Sequence, residues 1–578
     1  MKRLSLSLDK LSALVALVIL IASLLLNWSS FFPTLGEINP WDEAGYVKSG
    51  QDMIHGQLPI FAGSPLTAAL YAATGIIFHS SPFWFIHSVA AGRLIAYALI
   101  WLSAYLIGKR LTPHTTPLVL LCMLLAAPFL IKLLRFPSDP LLIGFAGLAL
   151  WQLLTYLRTR SVYAAVLAGV FMALAATARN DGLILFIAAL IWLMIFCVVK
   201  RIRWTAVTGF VIPFICIIGG YVLIYGLQTG NYSLGTGERT YDNFEAGQIA
   251  VYSGEEGLNA AVDAKREARR LFGTPEENGY SVVKAIARNP QAFIERLKRV
   301  TLELPGQIIK AYSGKWVVLL TFWAAWGVVT LLRKREWSLI GLFLIWFTPF
   351  LSGFVITIFR TGHLLFPSLV VLSLAAVGLM DFSSQVHKTK IRLFGLVAML
   401  ILLIIGLVMS ELVVIYAAGL SLAAMLLVWL GITVLPNIFI RPTVPLLLFF
   451  VVGLILHGPY PGIGVAKSKL PPEEQALLVM VDELPAGARV LAGSPGVVYA
   501  AKMTYLGLAS TDVPIFTSPE EFGNWLESQS VDAIYVDNNL TVDNQVYWSL
   551  LKELSGVFHT AYADQTGEIQ VWIRDDRQ

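Results

Sequence analysis

The sequence predicts a polytopic α-helical membrane protein with a soluble α/β domain at its C-terminal end. Three observations carry this prediction. Of the 578 residues, 57% are hydrophobic and only 14% are charged, whereas soluble domains carry roughly 25% charged residues. Most of the apolar residues lie in runs of the roughly 20 residues that a helix needs to cross a bilayer. From about residue 468 onward the composition becomes that of an ordinary soluble protein.

The apolar runs predict about 13 transmembrane helices by this length rule. A run at 392–434 is too long for one helix, and we divide it at Ser410-Glu411. The membrane domain is therefore expected over residues 1–460, with helices at 11–31, 85–108, 114–131, 140–157, 161–178, 182–199, 205–227, 316–332, 337–358, 364–380, 392–410, 412–434 and 443–459.

Basic residues predict the orientation in the membrane. Connections on one side are basic throughout, which is the positive-inside pattern of cytoplasmic loops. With the N-terminus inside, an odd number of helices places the C-terminal domain outside. We expect a multi-pass protein of the inner (plasma) membrane, with a cytoplasmic N-terminus and an extracytoplasmic C-terminal domain. The basic inner connections contain Lys109, Arg110, Arg158, Arg160, Lys200, Arg201, Arg203, Arg333, Lys334, Arg335, Lys388, Lys390, Arg392 and Arg441.

Three large segments fall on the outer side, at 32–84, 228–315 and 468–578. The loop at 228–315 contains an amphipathic helical pattern at 290–300, whose Arg296, Lys298 and Arg299 form either a solvated face or a patch for lipid phosphates. The segment 468–578 alternates strand and helix patterns, which predicts an α/β domain. It lacks the spacing of a glycine-rich phosphate fingerprint, and we assign it an accessory or acceptor-binding role.

Charge and cysteine usage exclude two functional classes. A net charge of +5 is small for this length and argues against nucleic acid as a partner. Cys122, Cys197 and Cys216 all lie in apolar runs. We interpret them as small core residues, not as a disulfide framework or a metal cluster.

An acidic pair, Asp42-Glu43, follows the first predicted span on the outer side. One interpretation is structural, with Asp42 capping a short helix that begins near Glu43. The other is catalytic, because an ionised carboxylate can take the proton of an attacking hydroxyl or amine. Adjacent helical residues diverge by about 100°, so the two acids are expected to do different jobs. One would face a substrate, and the other a metal, a backbone cap or a basic partner.

A second acid and several basic residues are expected on the same membrane face. Asp139 precedes Pro140, which fits an N-cap with proline at the first helical position, either as its only role or together with a role in the active site. Arg93 lies inside the second predicted span, where a charge is usually functional or paired. The remaining basic groups are either interfacial anchors or stabilisers of a phosphate leaving group, and they are Lys132, Arg135, Arg179, Arg360 and His363.

The stretch Asp42-Glu43-Ala44-Gly45-Tyr46 resembles the Asp-Glu-x-x-Tyr motif after the first span of the GT-C superfamily of membrane glycosyltransferases. The pattern is most similar to the protein O-mannosyltransferases and the bacterial aminoarabinose transferases of lipid A. Further stretches fit in order over residues 1–380: Gly63-Ser64-Pro65-Leu66, Ala91-Gly92-Arg93-Leu94, Asp139, Arg179-Asn180-Asp181-Gly182 and Gly362-His363-Leu364-Leu365-Phe366-Pro367.

Two features depart from the resemblance. Gly362-His363 stands where Arg-Tyr is usual, which leaves open whether Arg360 replaces the missing arginine. The C-terminal α/β pattern differs from the β-rich domains of some eukaryotic relatives, which leaves the acceptor open.

The resemblance implies a GT-C-like fold and a reaction. The donor would be a polyprenyl monophosphate carrying one hexose or pentose, and the acceptor a lipid, glycan or protein of the cell envelope on the outer face. Asp42 would be the general base. Glu43 and Asp139 would position it or bind a divalent cation. Tyr46 would support the Asp42 loop. The resemblance offers Arg93, Arg179, Arg360 and His363 for the donor phosphate, and Arg135 joins them from its place on the same face.

Two other functions remain open at this point. A transporter or flippase of lipid-linked sugars would suit about 13 helices, although the acids gather at one face of the membrane and not at mid-depth. A membrane-anchored scaffold with a partner-binding outer domain would leave Asp42, Glu43 and Asp139 unexplained except as helix caps.

Overall fold

The structure is a computed structural model. It describes residues 2–58, 64–111, 116–125, 127–199, 202–234, 237–251, 260–312, 315–356, 359, 361–385, 470–508, 513–514, 516–542, 544–554 and 556–575. The predicted helices at 392–410, 412–434 and 443–459 lie outside these residues, as does Arg360.

The N-terminal part is helical. Its helices are α1 Lys2–Leu26, α2 Trp28–Phe31, α3 Asp42–Ile54, α4 Pro65–Phe78, α5 Trp84–Leu111, α6 Thr116–Leu125, α7 Pro128–Lys132, α8 Ser138–Thr159, α9 Val162–Ala178, α10 Asp181–Val198, α11 Trp204–Thr229, α12 Gly237–Ala246, α13 Ala260–Phe272, α14 Pro275–Asn278, α15 Val282–Arg288, α16 Pro290–Ala311, α17 Lys315–Arg333, α18 Trp337–Ile345, α19 Phe350–Val355, α20 Thr361–Leu365 and α21 Ser368–Gln385. Short 3-10 turns lie at Leu35–Glu37, Leu133–Arg135 and Gly247–Ala250.

Six helical segments of the described chain are long and apolar enough to cross a membrane. They confirm a multi-span membrane protein, although the predicted number of helices is not settled by the described residues. The predicted helix at 114–131 is interrupted, since α6 ends at Leu125 and α7 begins at Pro128. The six segments are Trp84–Leu111, Ser138–Thr159, Asp181–Val198, Trp204–Thr229, Trp337–Val355 and Gly362–Phe382.

Glycines allow the membrane helices to approach closely. A Cβ at Gly169 of α9 would lie 2.1 Å from the carbonyl oxygen of Phe210 in α11. A Cβ at Gly378 of α21 would lie 2.1 Å from the carbonyl oxygen of Trp323 in α17. Lipid tails are as apolar as the helices, so such close van der Waals contact is a main source of association in a bilayer.

The C-terminal part is an α/β unit, as predicted. Its helices are α22 Pro472–Glu483, α23 Gly496–Ala500, α24 Pro519–Ser528, α25 Asn538–Thr541 and α26 Gln545–Glu553, and its strands are β1 Arg489–Ala492, β2 Thr504–Gly507, β3 Ala533–Val536, β4 Phe558–Ala563 and β5 Gln570–Arg574. The strand order is β2-β1-β3-β5-β4. Strand β1 is parallel to β2 and β3, and β5 is antiparallel to β3 and β4. Strand β4 was not foreseen.

This unit packs directly on α3, the helix that begins with the acidic pair. Ala44 and Val47 of α3 share one hydrophobic core with Val498 and Ala500 of α23. Upstream of α3, the backbone N–H of Leu35 donates to a Glu474 carboxylate oxygen at 3.4 Å. The acidic pair is therefore held between the membrane helices and the C-terminal unit.

The described residues of the segment 228–315 form a small helical layer, and they do not carry the predicted basic patch. Arg296 is fully buried, with its guanidinium 4.5 Å and 5.2 Å from the ring centres of Phe244 and Phe272. Burial lowers the pKa of Arg296 to about 9. Arg299 is exposed and pairs with Glu303 at 2.8 Å. The helix is amphipathic as expected, but its arginines point to opposite environments and so form no single surface.

Candidate functional site

Helix α3 begins at the acidic pair because Asn39 organises the preceding turn. The Asn39 side-chain oxygen accepts hydrogen bonds from the backbone N–H groups of Trp41 and Asp42, each at 3.0 Å. Trp41 occupies the N-cap position, and Asp42 is the first helical residue. The interpretation of Asp42 as a helix cap is thus wrong, since Asn39 binds the N–H group of Asp42 and leaves its carboxylate to other partners.

Glu43 is buried and paired with Arg93. Arg93 Nε and Nη2 donate to the two Glu43 carboxylate oxygens at 2.9 Å and 2.7 Å. The backbone N–H of Asn39 adds a third bond at 3.3 Å. Arg93 also donates to the backbone carbonyl of Ser30 at 2.7 Å. Both charges are almost inaccessible, with exposures of 0% and 3%, so this pair is a buried clamp between α3 and α5.

Asp42 faces a different environment, as the helical geometry predicted for adjacent residues. Its side chain is one quarter exposed. Oδ1 accepts a bond from Arg239 Nη2 at 2.8 Å. Arg239 also donates to the Tyr46 hydroxyl at 3.3 Å, and that hydroxyl donates to Ser64 Oγ at 3.1 Å. Asp42, Tyr46, Ser64 and Arg239 therefore form one group, which we call the Asp42 cluster.

Arg239 was missed by the sequence reasoning. It lies in α12, within the segment 228–315, and is 197 residues from Asp42. No local motif marks it. The available signal was its position, because 228–315 was expected on the same membrane face as the acidic pair.

A second group is centred on Arg179, at the C-terminal end of α9, and we call it the Arg179 cluster. Arg179 forms ion pairs with Asp139 through Nη1 and with Asp181 through Nε. Its Nη2 bonds His363 Nε2 at 2.7 Å. Burial opposes the charge of Arg179, but the two carboxylates outweigh it, so the pKa of Arg179 is raised above its usual value.

This network assigns the protonation state of His363. A guanidinium only donates hydrogen bonds, so Nε2 of His363 must be the acceptor in its bond with Arg179 Nη2. The network therefore assigns a neutral imidazole with its proton on Nδ1. His363 Nε2 also lies 3.8 Å from Asp181 Oδ2.

Asp139 serves the cluster and not the helix end. Helix α8 has Pro137 at its N-cap and no side-chain capping bond. The predicted N-cap role of Asp139 is therefore wrong. Its carboxylate instead lies against Gly362, where a Cβ would be 2.2 Å from Oδ2. The glycine that departs from the Arg-Tyr pattern thus makes room for the acid.

A cavity of about 320 Å³ lies between the two clusters. This is near the lower end of the range for small-molecule sites, about 300–1,000 Å³. Most of the lining side chains are polar. The cavity is lined by Tyr46, Ser64, Ser138, Arg179, Asn180, Asp181, Leu183, Ile184, Arg239, Thr240, Asn243, Ser352, Val355, Ile356 and His363.

The structure brings together some of the predicted site residues and not others. Tyr46, Arg179 and His363 line the cavity. Arg93 is occupied by Glu43 and Ser30 and does not line it. Arg135 is exposed in a 3-10 turn away from the lining.

The two carboxylates considered for a divalent cation do not form a metal site. Glu43 is bound by Arg93, and Asp139 by Arg179. Across the described ranges, no three His, Cys, Asp or Glu side chains are grouped so as to hold a metal ion. Among the described residues, Glu43 and Asp139 are therefore not part of a metal site.

Comparisons with known proteins give a result at the level of fold. No protein-family model and no curated protein matches the sequence. Among solved structures, the chain is similar to ArnT from Cupriavidus metallidurans bound to undecaprenyl phosphate, with 13% identity, a TM-score of 0.55 and 98% of each chain covered. It is also similar to the oligosaccharyltransferase of Archaeoglobus fulgidus in complex with Zn and sulfate, with 14% identity, a TM-score of 0.54, and 97% of this chain and 73% of the other covered.

A further structure of that archaeal enzyme, AglB with an inhibitory peptide and a dolichol-phosphate, matches with 12% identity and a TM-score of 0.50, covering 98% of this chain and 74% of the other. These matches extend well beyond the 380 residues in which the motifs were found. Together with the ordered motifs, they confirm the expected architecture, and the chain has the GT-C fold.

Proposed function

We propose that this protein is an integral-membrane glycosyltransferase. It moves one sugar, a hexose or pentose, from a polyprenyl-phosphate donor to an acceptor on the extracytoplasmic face, with Asp42 as the general base. The orientation rests on the basic inner loops, which place the N-terminus in the cytoplasm and the C-terminal unit outside the inner membrane. The acceptor is a lipid, a glycan or a protein.

The observation that carries the proposal is the contrast between the two adjacent acids. Both oxygens of Glu43 are bound by Arg93. Asp42 is one quarter exposed, and only its Oδ1 receives a hydrogen bond from the described residues. Its Oδ2 therefore has the lone pairs that a general base needs, within reach of solvent and of an incoming hydroxyl. Glu43 holds α3 in place, and Asp42 is presented to the substrate.

The donor phosphate is assigned to Arg239. This residue borders both Asp42 and the cavity, and one quarter of its side chain is exposed. A guanidinium matches the oxygens of a phosphate with paired N–H groups. Arg179 also lines the cavity, but it is paired with two carboxylates, Asp139 and Asp181, whereas Arg239 donates to Asp42 and to the Tyr46 hydroxyl. We therefore give Arg179 and His363 a structural role in the wall of the cavity, where Asp139 and Asp181 balance the guanidinium charge.

The proposed reaction is a single displacement. The acceptor oxygen attacks the anomeric carbon of the sugar while Asp42 takes its proton. The bond from that carbon to the phosphate oxygen breaks, and the polyprenyl phosphate leaves with the bonding electrons. Arg239 stabilises the charge that develops on the leaving group. One displacement inverts the configuration at the anomeric carbon. Tyr46 maintains this geometry, because its hydroxyl joins Arg239 to Ser64.

Two observations on other proteins support the donor class. ArnT was solved with bound undecaprenyl phosphate, and AglB with a dolichol-phosphate. Both ligands are polyprenyl phosphates. The cavity volume of about 320 Å³ is large enough for one sugar ring.

The experiment is transfer from radiolabelled polyprenyl-phosphate sugars to total membrane acceptors, with wild type beside Asp42→Asn. Loss of a general base lowers the rate by about 10²- to 10⁴-fold, so we expect no measurable transfer by Asp42→Asn in normally inserted protein. The matched control is Asp52→Asn, because Asp52 lies on the same helix and its carboxylate pairs with Lys48.

Two results would contradict the proposal in different ways. Transfer by Asp42→Asn at the wild-type rate would remove Asp42 from the role of base. In the other result, the label crosses the membrane with the sugar–phosphate bond intact for every donor tested. That result would contradict the transferase and support a flippase of lipid-linked sugars.

A further inference from the structure

Asn180 does not do the job that asparagine usually does at its position. It is the N-cap of α10, where the side-chain oxygen of Asn normally accepts a bond from a backbone N–H of the first turn. Here the side chain makes no capping bond. Only the backbone carbonyl is used, by the N–H of Leu183 at 2.8 Å. The end of the helix therefore does not require the Asn180 amide.

Asn180 is nevertheless one of the residues that line the cavity. Its Oδ1 is buried and receives no hydrogen bond from the described residues. Buried carbonyl oxygens are rarely left without a donor, since an unmade bond destabilises the protein. A bound molecule that donates a hydrogen bond into the cavity would satisfy this oxygen. The position thus has the signature of a ligand contact.

The surroundings hold Asn180 in place. Arg179 and Asp181, on either side of it, are joined by an ion pair. Gly182 allows the turn to press against α9, because a Cβ there would lie 2.5 Å from the backbone nitrogen of Ala176. A recognition group gains from such rigidity, since little motion is lost when the ligand binds.

The chemistry of the amide indicates the ligand. An asparagine side chain offers an acceptor oxygen beside two N–H donors. A sugar ring presents the matching arrangement, a hydroxyl that donates beside an oxygen that accepts. Part of the wall is similar in character, because Ser64, Ser138, Thr240, Asn243 and Ser352 line it with uncharged polar groups. Four aliphatic side chains, Leu183, Ile184, Val355 and Ile356, also line the cavity.

We propose that Asn180 is a sugar-recognition residue, whose Oδ1 accepts a hydrogen bond from one hydroxyl of the donor's sugar. This role of Asn180 rests on the proposed function and deepens it, since it names the protein group that recognises the sugar and the part of the sugar that is recognised. A site built to bond a hydroxyl rejects an analogue that lacks it. Asn180 therefore contributes to the choice of sugar, while Asp42 and Arg239 act on the bond that is transferred.

The test pairs a variant with a set of donors. We would measure kcat/KM for wild type and Asn180→Ala with the parent polyprenyl-phosphate sugar and with each of its monodeoxy analogues. The variant is expected to lose about tenfold with the parent donor, as for one lost hydrogen bond in a closed site. With one deoxy analogue, wild type and variant should be equally slow, because the same bond is missing in both.

A matched asparagine controls for stability. Asn289 caps α16 with a real side-chain bond to the N–H of Ala292 at 3.1 Å. Asn289→Ala should therefore lower the thermal midpoint and leave the ranking of donors unchanged. Asn180→Ala should keep the wild-type midpoint, since its side chain makes no capping bond, and should change the ranking.

The outcomes separate this role from the function on which it rests. The role of Asn180 alone is overturned if the wild type transfers sugar and Asn180→Ala lowers kcat/KM by the same factor for every deoxy donor. It is also overturned if the wild type transfers sugar and Asn180→Ala does not lower kcat/KM at all. Wild type that transfers from no donor overturns the transferase and this role with it.

Discussion

Replacement of Arg93 by methionine distinguishes a structural from a substrate-binding arginine. Sequence position and resemblance both pointed to a contact with the donor phosphate. In the structure, Arg93 is instead buried in contact with Glu43, and the two residues are 3% and 0% exposed, respectively. In Arg93→Met, Glu43 would keep one hydrogen bond, from the backbone N–H of Asn39 at 3.3 Å. Removal of one partner of a buried ion pair costs about 3–5 kcal/mol. We therefore expect Arg93→Met to be strongly destabilised.

The reverse and combined changes make the reasoning quantitative. Glu43→Met leaves the Arg93 guanidinium with only the carbonyl of Ser30, at 2.7 Å, and should be as unstable as Arg93→Met. The double variant removes both charges. Well-packed apolar residues often replace a buried pair without loss, so the double variant should be more stable than either single one.

The assay is the temperature at which half of the detergent-solubilised protein stays monodisperse after heating, which ranks variants even when unfolding is irreversible. Lys109→Met is the matched control, because Lys109 lies on the same helix and is exposed. If Arg93→Met kept the wild-type value of this temperature and lost only sugar-transfer activity, the structural role of the Arg93–Glu43 pair would be refuted. The role of Arg93 in binding the donor phosphate would then be restored.

Three further predictions use the same preparations. Gly362→Ala places a methyl group 2.2 Å from Asp139 Oδ2 and should lower the transfer rate by about 10²-fold, because it shifts that carboxylate. The control is Gly219→Ala, whose methyl group meets nothing within 4 Å and which should keep the wild-type transfer rate. A Gly362→Ala variant with wild-type activity would show that Asp139 tolerates movement. Arg239→Lys keeps the charge but not the paired N–H groups and should lower kcat/KM for the donor about tenfold; wild-type kinetics would remove Arg239 from the phosphate site. Burial raises the pKa of Asp537, so the folded state favours the protonated carboxyl. The resulting contribution to the free energy of unfolding is fully present below the unfolded-state pKa of about 3.9. It is lost as pH rises through the folded-state pKa. Asp537→Asn should flatten that dependence in hydrogen exchange of β3, and an unchanged profile would refute it.

Much of the fold follows from the sequence, because the signals that define it are local. Apolar runs of about 20 residues mark membrane helices wherever they occur, and all six spanning segments of the described residues fall on predicted runs. The α/β character of the C-terminal part is also a local pattern of strand and helix. The break between α6 and α7 was missed because the run at 114–131 was judged by hydropathy alone. Pro128, the first residue of α7, is the local signal, since proline lacks the N–H that continues a helix.

The site was only half predictable, because its contacts join distant parts of the chain. Position relative to the membrane placed Asp139, Arg179 and His363 on one face, and they do meet. Which cation pairs with which acid depends on packing. Arg93 reaches Glu43 across 50 residues, and Arg239 reaches Asp42 across 197. A charge inside a membrane helix is expected to be functional or paired, and only the fold decides which.

The division of labour between Asp42 and Glu43 shows how the fold decides. Helical geometry requires adjacent residues to face different ways, but it does not say which one turns inward. In the structure, the face of α3 that contains Glu43, Ala44 and Val47 is covered by α5 and by the C-terminal unit. That cover excludes water from Glu43 and makes an arginine partner necessary. Asp42, at the uncovered start of the helix, keeps one oxygen without a hydrogen bond from the described residues. The C-terminal unit thus helps to determine which acid is the proposed base, although none of its described residues lines the cavity.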